Sequence, residues 1–455
     1  MQIHRAARRG DHEAIAAALR AGGDVHARDG YGRSLLWTAL GGAARRGGDG
    51  TSLETVRLLL DAGADPNATD LEGEPPIHVA VRVPNVVFLE ELLRRGAKVN
   101  TLSRRKYSAL LIACFQPPSP AKIAIVNCLH RAGADLDARV ERPDGHAEDF
   151  FPLWACLSAH DFTTLQHLAQ LGANPAPFRW SRLQQVVAFG QPEDVRKLAF
   201  TAEEVKARAP NSEWSAWLLA IARGDVEVIA WLAEKGADLT QIERCGHTAL
   251  HVAARFGNAE ALAWLLKLGF RADGTDDFGS TALYDAVRWN QLSCARVLLE
   301  QGAKASFLNG TQGQPIHEAN SRAMVQLLVE MGGVDPNAIS GAGEWPLREA
   351  AGRNDVECLR WLLAHGAKVD HTSTGETALH EAVKFDALEA MSFLLEHGAD
   401  PNAEDVDWWL PYRWAHSVDA IRLLWQARAQ ITREDLKRDF TDPELVQALD
   451  DFPPR

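Results

Sequence analysis

The stretch Gly246-His-Thr-Ala-Leu-His-Val-Ala-Ala-Arg-Phe-Gly-Asn-Ala-Glu-Ala-Leu-Ala-Trp-Leu-Leu-Lys-Leu-Gly269 decides the fold of this 455-residue chain. Thr248 can cap a short helix, in which Leu250 and the Ala-Ala pair after it share one apolar face. Gly257 interrupts that helix, and the leucines that follow give a second helix its own apolar stripe. A glycine at the end permits the left-handed conformation that a tight exit requires. The stretch therefore predicts a unit of helix, turn, helix and loop.

The same pattern recurs along nearly the whole chain. A tripeptide of the Gly-Ala-Asp type follows a Leu-rich stretch at Gly22, Gly63, Gly96, Gly133, Gly172, Gly236, Gly269, Gly302, Gly333, Gly366 and Gly398. The gaps centre on 33 residues, and the gap of 64 residues before Gly236 fits two units with one signature lost. A fixed period of this size predicts about thirteen stacked repeats rather than separate globular domains.

These units resemble the ankyrin repeat, whose signature is Thr-Pro-Leu-His-x-Ala-Ala followed by Leu-Leu and Gly-Ala-Asp-x-Asn. Versions of it are Pro75-Pro-Ile-His78, Thr248-Ala-Leu-His251, Thr281-Ala-Leu-Tyr284, Gln314-Pro-Ile-His317, Trp345-Pro-Leu-Arg348, Thr377-Ala-Leu-His380, Gly63-Ala-Asp-Pro-Asn67 and Gly398-Ala-Asp-Pro-Asn402. The resemblance implies an all-α ankyrin-repeat solenoid of stacked helix-turn-helix units with protruding loops. It also implies that the signature histidines bond between neighbouring loops, and that the protein binds other proteins without catalysis.

Departures from the pattern suggest boundaries along the chain. We predict repeats 1–5 in 1–177, a degenerate repeat 6 in 178–212, repeats 7–12 in 213–403, and a degenerate repeat with a C-terminal cap in 404–455. Glycines in 41–50 and prolines in 116–120 predict loop insertions, as does the segment 141–146, because neither residue type continues a helix. Residues 441–451 offer one last short helix.

Charge is distributed unevenly between the two halves. The chain has 48 Lys and Arg against 61 Asp and Glu, a net charge of −13. Residues 1–177 hold 20 of each sign, so the whole net charge belongs to 178–455. An acidic chain is a poor ligand for nucleic acid or anionic lipid, and we expect a basic protein partner. Without a long apolar run we also expect a cytoplasmic protein, and the excess of Arg over Lys, 37 to 11, hints at a bacterial genome.

No catalytic, cofactor-binding or metal-binding site is predicted. The chain has no Gly-x-x-x-x-Gly-Lys loop, no Gly-x-Ser-x-Gly elbow and no His-Glu-x-x-His motif. The six cysteines lack zinc spacing, and we expect them to be reduced and buried. An enzyme hidden in the off-pattern segments 139–150 or 178–212 is an unfavoured alternative, because those segments are too short for an active-site domain.

A basic residue and an aromatic residue recur on one face of the first helices. The pairs are Arg255-Phe256, Arg288-Trp289 and Lys384-Phe385. In the ankyrin family this face turns toward the concave side. Arg and aromatic side chains are enriched at binding hot spots, which predicts a partner-binding surface. The alternative is that each ring packs on the next repeat while the cation is solvated.

In each of repeats 9–12 the residue one position earlier on that face is acidic. These acids are Asp285, Glu318, Glu349 and Glu381, and basic residues follow each at Arg288, Arg322, Arg353 and Lys384. The favoured interpretation is an exposed pair within each helix, worth ~0.2–0.5 kcal/mol. The acids could also form a negative stripe for a basic partner, and both arrangements can hold together.

The function hypothesis is a non-enzymatic protein-binding scaffold, with an inhibitor or immunity protein for a basic toxin as its sharper form. A secreted, host-directed ankyrin effector is the alternative. At the C-terminal end, Trp408-Trp-Leu-Pro-Tyr-Arg-Trp414 replaces the signature. These tryptophans either seal the cap or leave an exposed aromatic patch.

Overall fold

The computed structural model describes residues 2–45, 47–48, 50–140, 150–209, 214–372 and 375–440. Within these ranges the chain is helical and forms no β-strand. Its residue contacts define two compact units, unit 1 (Met1–Asp238) and unit 2 (Leu239–Arg455). None of the helices in the described ranges has the length and apolar character needed to cross a membrane. The short helix expected in 441–451 lies outside the described residues.

Unit 1 consists of short helices that stack in two rows. They are α1 (Gln2–Arg9), α2 (His12–Arg20), α3 (Leu35–Arg45), α4 (Gly50–Asp61), α5 (Pro76–Ala80), α6 (Val86–Arg94), α7 (Ala109–Phe115), α8 (Pro120–Arg131), α9 (Pro152–Ser158), α10 (Phe162–Gln170), α11 (Arg182–Phe189), α12 (Pro192–Lys197), α13 (Ala202–Lys206), α14 (Ala216–Arg223) and α15 (Val226–Glu234), with a 3-10 turn at Ala176–Phe178. The first helix of one repeat contacts the first helix of the next, as α3 contacts α5. The second helices contact each other in the same way, as α6 contacts α8.

Unit 2 repeats this arrangement. Its helices are α16 (Ala249–Arg255), α17 (Ala259–Lys267), α18 (Ala282–Arg288), α19 (Leu292–Glu300), α20 (Arg322–Glu330), α21 (Pro346–Gly352), α22 (Val356–Ala364), α23 (Ala378–Lys384), α24 (Leu388–Glu396), α25 (Val418–Gln426) and α26 (Arg433–Asp439), with 3-10 turns at Arg244–Gly246, Pro315–Glu318 and Pro411–Trp414. Leu262 and Leu265 of α17 are fully buried, as the apolar stripe predicts.

The signature histidines link each repeat to the next. The Nε2 atom of His251 donates to the carbonyl oxygen of Ser280 at 3.0 Å, while its Nδ1 accepts from the backbone of Thr248. His78, His317 and His380 make the same kind of Nε2 bond to a carbonyl 21 to 29 residues further on. In His251, His317 and His380 the ring donates from Nε2 and accepts at Nδ1, and such a ring is neutral. Burial lowers the pKa of all four imidazoles, and the expected bond between neighbouring loops is confirmed.

The loop tips between repeats are built on one polar residue each. The side chain of Asp276 accepts from the backbone of Phe278 and of Ser280, and equivalent bonds form at other tips. Neighbouring tips are joined by backbone hydrogen bonds, such as that from Gly310 to the carbonyl of Phe278. Cys245 lies in such a tip and is exposed, contrary to the expectation that all six cysteines are buried.

The expected loop insertion in 41–50 is wrong for its first half. Helix α3 continues through Gly41 and Gly42 to Arg45. A Cβ atom on Gly42 would lie only 2.0 Å from the carbonyl oxygen of Arg8 in α1. The glycine is there because α1 packs directly against α3, and not because the helix ends. Residues 116–119 form a loop, whereas the segment 141–146 lies outside the described residues.

An ion pair lies in the interior of unit 1. The Lys122 ammonium is 2.9 Å from a carboxylate oxygen of Asp161, and both side chains are at most 4% exposed. Lys122 also donates to the carbonyl oxygens of Cys114 and Gln116, at 2.8 and 2.6 Å. One side chain thus joins the C-terminal end of α7 to the residue that caps α10.

Candidate functional site

The three predicted aromatic residues occupy equivalent places in unit 2. Phe256, Trp289 and Phe385 are the C-cap residues of α16, α18 and α23. Phe385 is 59% exposed, while the other two are half-buried. A Cβ atom on Gly352 would lie 3.4 Å from the Phe385 ring, so this ring packs on the preceding repeat. Contact with the neighbouring repeat and exposure to solvent therefore occur together.

The cations beside these rings differ in their surroundings. Arg288 is exposed, whereas the Lys384 ammonium lies 5.4 Å from the centroid of the Trp414 ring in the following repeat. That contact is a cation–π interaction, so Lys384 is not simply solvated. The Trp409 and Trp414 rings lie 5.4 Å apart, and Trp408 is 77% exposed. Trp409 and Trp414 therefore pack within the C-terminal repeat, whereas Trp408 is exposed.

Two of the four acids pair with an arginine of the preceding repeat, and not within their own helix. The Arg255 Nε atom lies 3.4 Å from Asp285, and the Arg348 guanidinium lies 2.9 Å from Glu381. The intrahelical pairs expected for these acids are therefore wrong. An arginine is long enough to reach the neighbouring first helix, where its partner is shielded from water, and shielding strengthens the attraction.

The other two acids differ from each other. Glu349 of α21 keeps the expected arrangement, 3.8 Å from Arg353, the C-cap residue of the same helix. Glu318 ends a 3-10 turn, while Arg322 begins α20 after an extended Ala319, so the expected pair does not share a helix. Arg322 instead pairs with Glu357 of the following repeat at 3.4 Å.

Five of the twelve predicted residues line a single cavity in unit 2. This space of about 540 Å³ is called the Asp285 cavity, and Arg255, Asp285, Arg288, Trp289 and Glu318 belong to its wall. The remaining predicted residues do not line it: Phe256, Arg322, Glu349, Arg353, Glu381, Lys384 and Phe385. Among the described residues, no group of three or more His, Cys, Asp or Glu could hold a metal ion.

Two carboxyl groups of the Asp285 cavity have unusual surroundings. Burial raises the pKa of Asp285 to about 7, and the Arg255 guanidinium opposes this rise. The Tyr284 hydroxyl donates to Glu318 at 2.6 Å, and burial and this carboxylate both raise the pKa of the phenol. Tyr284 was missed from the sequence, although it stands at the signature position where neighbouring units carry histidine. The tyrosine in place of histidine is the sequence feature that could have indicated a functional residue here.

Similarity to known proteins is spread over most of the chain. The profile of a family described as ankyrin repeats (3 copies) matches residues 3–102, 40–140, 217–308 and 316–405. Mouse ankyrin repeat and SOCS box protein 16 is 37% identical over 95 residues, which are 21% of this chain and 21% of that protein. Mouse cyclin-dependent kinase 4 inhibitor B is 39% identical over 100 residues, 21% of this chain and 67% of that protein.

The chain matches only a small part of the longer relatives. It spans 10% of the mouse protein fem-1 homolog A-like, at 34% identity over 62 residues, or 13% of this chain. The solved human ASB11 ankyrin repeat domain matches with 26% identity and a TM-score of 0.44, over 48% of this chain and 100% of that domain. The repeats, the histidine bonds and the matched family profile agree, and the chain belongs to the ankyrin repeat family.

Proposed function

We propose that this chain is a non-enzymatic scaffold that binds a basic protein through the first-helix face of unit 2, and that it acts as an inhibitor or immunity protein for a toxin. Ankyrin repeat proteins generally act as protein-binding scaffolds. The observation that carries the proposal is the recurrence of Phe256, Trp289 and Phe385 at one structural position, where Phe385 is 59% exposed. Aromatic rings that keep part of their surface accessible at equivalent positions of several repeats are typical of a binding surface.

Charge supports a basic partner. The net charge of −13 belongs to residues 178–455, which contain all of unit 2. Long-range attraction by such a surface raises the rate at which an oppositely charged protein associates. Pairing within the face reduces the local charge, because Asp285 and Glu381 each contact an arginine. We therefore assign the acidic field mainly to steering and the aromatic residues to holding the partner.

An inhibitory role is supported by analogy. Mouse cyclin-dependent kinase 4 inhibitor B, 39% identical over 100 residues, is by its name an inhibitor of a kinase. A scaffold with a fixed frame inhibits another protein by covering its working surface, and this needs no chemistry of its own.

A pull-down from the native host tests the proposal. The immobilised full chain is compared with the triple variant Arg288→Ala, Trp289→Ala, Phe385→Ala, and with Tyr31→Ala, which removes a 69% exposed ring from unit 1. We expect a protein of basic isoelectric point that the wild type and Tyr31→Ala retain and the triple variant loses. Retention by the triple variant, or an acidic captured protein, contradicts the proposal.

Salt dependence tests the electrostatic part separately. If the acidic field steers the partner, the association rate should fall steeply as the salt concentration is raised from 0.05 to 0.5 M. Over this range the Debye length, the distance over which charges act, shortens from about 14 Å to about 4 Å. A rate that is independent of salt removes the steering role and leaves the aromatic surface to be judged by the triple variant.

A further inference from the structure

We propose that the Asp285 cavity receives one cationic side chain of the protein partner, a lysine or an arginine. The inference rests on the proposed function and names its point of contact. Both kinds of side chain present a positive group that donates hydrogen bonds to carboxylates, and the cavity offers carboxylates beside an aromatic wall.

The first argument is the state of Asp285. Its side chain is 8% exposed, and its Oδ2 atom accepts no hydrogen bond from any described residue. The nearest cationic atom, Arg255 Nε, is 3.4 Å away, but the geometry leaves both atoms without a hydrogen bond. Arg255 is also held by Glu243 at 3.0 Å. A buried carboxyl with incomplete partners is costly, and a further donor would relieve that cost.

The second argument is the rest of the cavity wall. Tyr284 holds Glu318 in place through a 2.6 Å bond, so its carboxylate is oriented before a ligand arrives. The Trp289 ring lines the same cavity. A guanidinium stacks on an aromatic face and binds carboxylates with two parallel bonds, and an ammonium also lies favourably over an indole ring.

An anionic ligand fits less well. Arg255 and Arg288 line the cavity, but so do the three carboxyl groups of Asp276, Asp285 and Glu318. Arg255 is already occupied by Glu243 and hydrogen-bonded to His247. Above pH 7, where Asp285 is ionised, an incoming anion would therefore meet three carboxylates against two guanidinium groups, whereas a cation would reduce this excess of negative charge.

Binding should depend on pH, because a cation binds the ionised form of Asp285. With a pKa of about 7, that form grows about tenfold between pH 6 and pH 8, and affinity should rise by about the same factor. The groups that face Asp285 are Arg255, Asp276, Arg288 and Glu243, and His247 lines the cavity as well. Replacing His247 by Asn therefore separates its contribution from that of Asp285.

The test uses the full chain labelled with 5-fluorotryptophan, observed by fluorine NMR. The Trp289 resonance is identified by its loss in Trp289→Phe. The probes are acetylated tripeptide amides Gly-X-Gly in which X is Arg, Lys, Gln or Glu. We expect the Arg and Lys peptides to shift the Trp289 resonance in a saturable way, whereas the Gln and Glu peptides leave it unchanged. The difference between Arg and Lys identifies the preferred cation.

Two variants and a control decide the assignment. Asp285→Asn and Glu318→Gln should each weaken binding of the Arg peptide at least tenfold, whereas Glu349→Gln, an acid on the same face outside the cavity, should not. Equal binding by all three variants overturns the inference, and so does a shift of equal size with the Gln or Glu peptide. Glu318→Gln keeps the inference testable if Asp285→Asn fails to fold.

The two proposals can fail separately. If the cationic peptides bind but the host contains no basic partner, the proposed function fails and the cavity assignment stands. If a partner is captured through the aromatic residues but binds Asp285→Asn as tightly as the wild type, the cavity assignment fails alone.

Discussion

Replacing Lys122 by Met should loosen the middle of unit 1 while leaving its surface unchanged. Lys122 is 2% exposed, and its three donors are used by Asp161, Cys114 and Gln116. Methionine has a similar length and no charge, so the substitution removes the ammonium with little change in packing volume. It leaves Asp161 as a buried carboxyl without its counter-charge and leaves two carbonyl groups without a donor.

The expected loss follows from these contacts. Breaking a buried ion pair by removing one partner costs about 3–5 kcal/mol. Asp161 keeps its bonds from the backbone and hydroxyl of Thr164, which places the loss toward the lower end of that range. A loss of about 3–4 kcal/mol raises the population of locally opened states by roughly 10²- to 10³-fold.

Amide hydrogen exchange measured by mass spectrometry is the suitable assay. Repeat proteins open locally, so a single unfolding midpoint would not isolate the effect. Exchange should accelerate in peptides that cover α7 to α10 and stay unchanged in unit 2. Lys98→Met removes an exposed lysine of the same unit and should change nothing. Adding Asp161→Asn to Lys122→Met should recover part of the loss, because the uncompensated charge is gone. Protection within twofold of wild type in Lys122→Met would refute this reasoning.

Four further outcomes are expected. Gly42→Ala should detach α1 and speed exchange in residues 2–9, because its Cβ would meet a backbone oxygen at 2.0 Å, whereas Gly41→Ala, whose Cβ would stand 3.5 Å from a tryptophan ring, should be tolerated. Trp408→Gly should raise the free energy of unfolding measured in urea by up to ~1 kcal/mol, since the tryptophan is 77% exposed at a φ of 60°. The four signature histidines have folded-state pKa values below the ordinary 6.5, so the unfolded chain takes up protons first, and urea unfolding should show stability falling as pH drops below about 6.5. Asp285→Asn should raise the unfolding free energy of unit 2 by about 2–4 kcal/mol at pH 8 and little at pH 4. The pKa of Asp285 is raised to about 7 in the folded wild type, so wild-type unit 2 becomes less stable as the pH rises toward and through that value.

The repeated frame could be predicted from sequence because it depends on local rules. A capping threonine, an apolar stripe and a terminal glycine act within one unit, so their spacing is sufficient to indicate two helices and a loop. The histidine bonds were implied by the resemblance, since they join the same positions in every pair of neighbours. Gly42 shows where local rules fail. A glycine pair predicts a break, but close packing of another helix favours the same residue and keeps the helix intact.

The pairing of charges could not be predicted for a related reason. Spacing along one helix placed Glu381 beside Lys384, yet Glu381 contacts Arg348, 33 residues earlier. In a stack of repeats the residue one period away is as close as the residue one turn away. An arginine side chain is long enough to reach the acid in the next repeat. Because that acid is shielded from water, the contact between repeats is favoured over an exposed pair within one helix. The pairing of Lys122 with Asp161 could not be predicted because the two residues stand 39 positions apart, outside the 33-residue period.

Asp285 connects stability with binding. Its side chain keeps a hydrogen-bonding atom unused, burial opposes its ionisation, and it lines a cavity. Its cost is borne by the free protein and is reduced by any ligand that supplies a positive donor, so part of the binding free energy comes from relieving that cost. Removing the charge should therefore make unit 2 more stable and less able to bind. Burial also raises the pKa of Glu349, with Arg353 opposing the rise, but this carboxyl lies outside the cavity, so its removal should leave binding unchanged. A gain in stability together with a loss of affinity at Asp285, and unchanged affinity at Glu349, separates a binding carboxyl from a structural one.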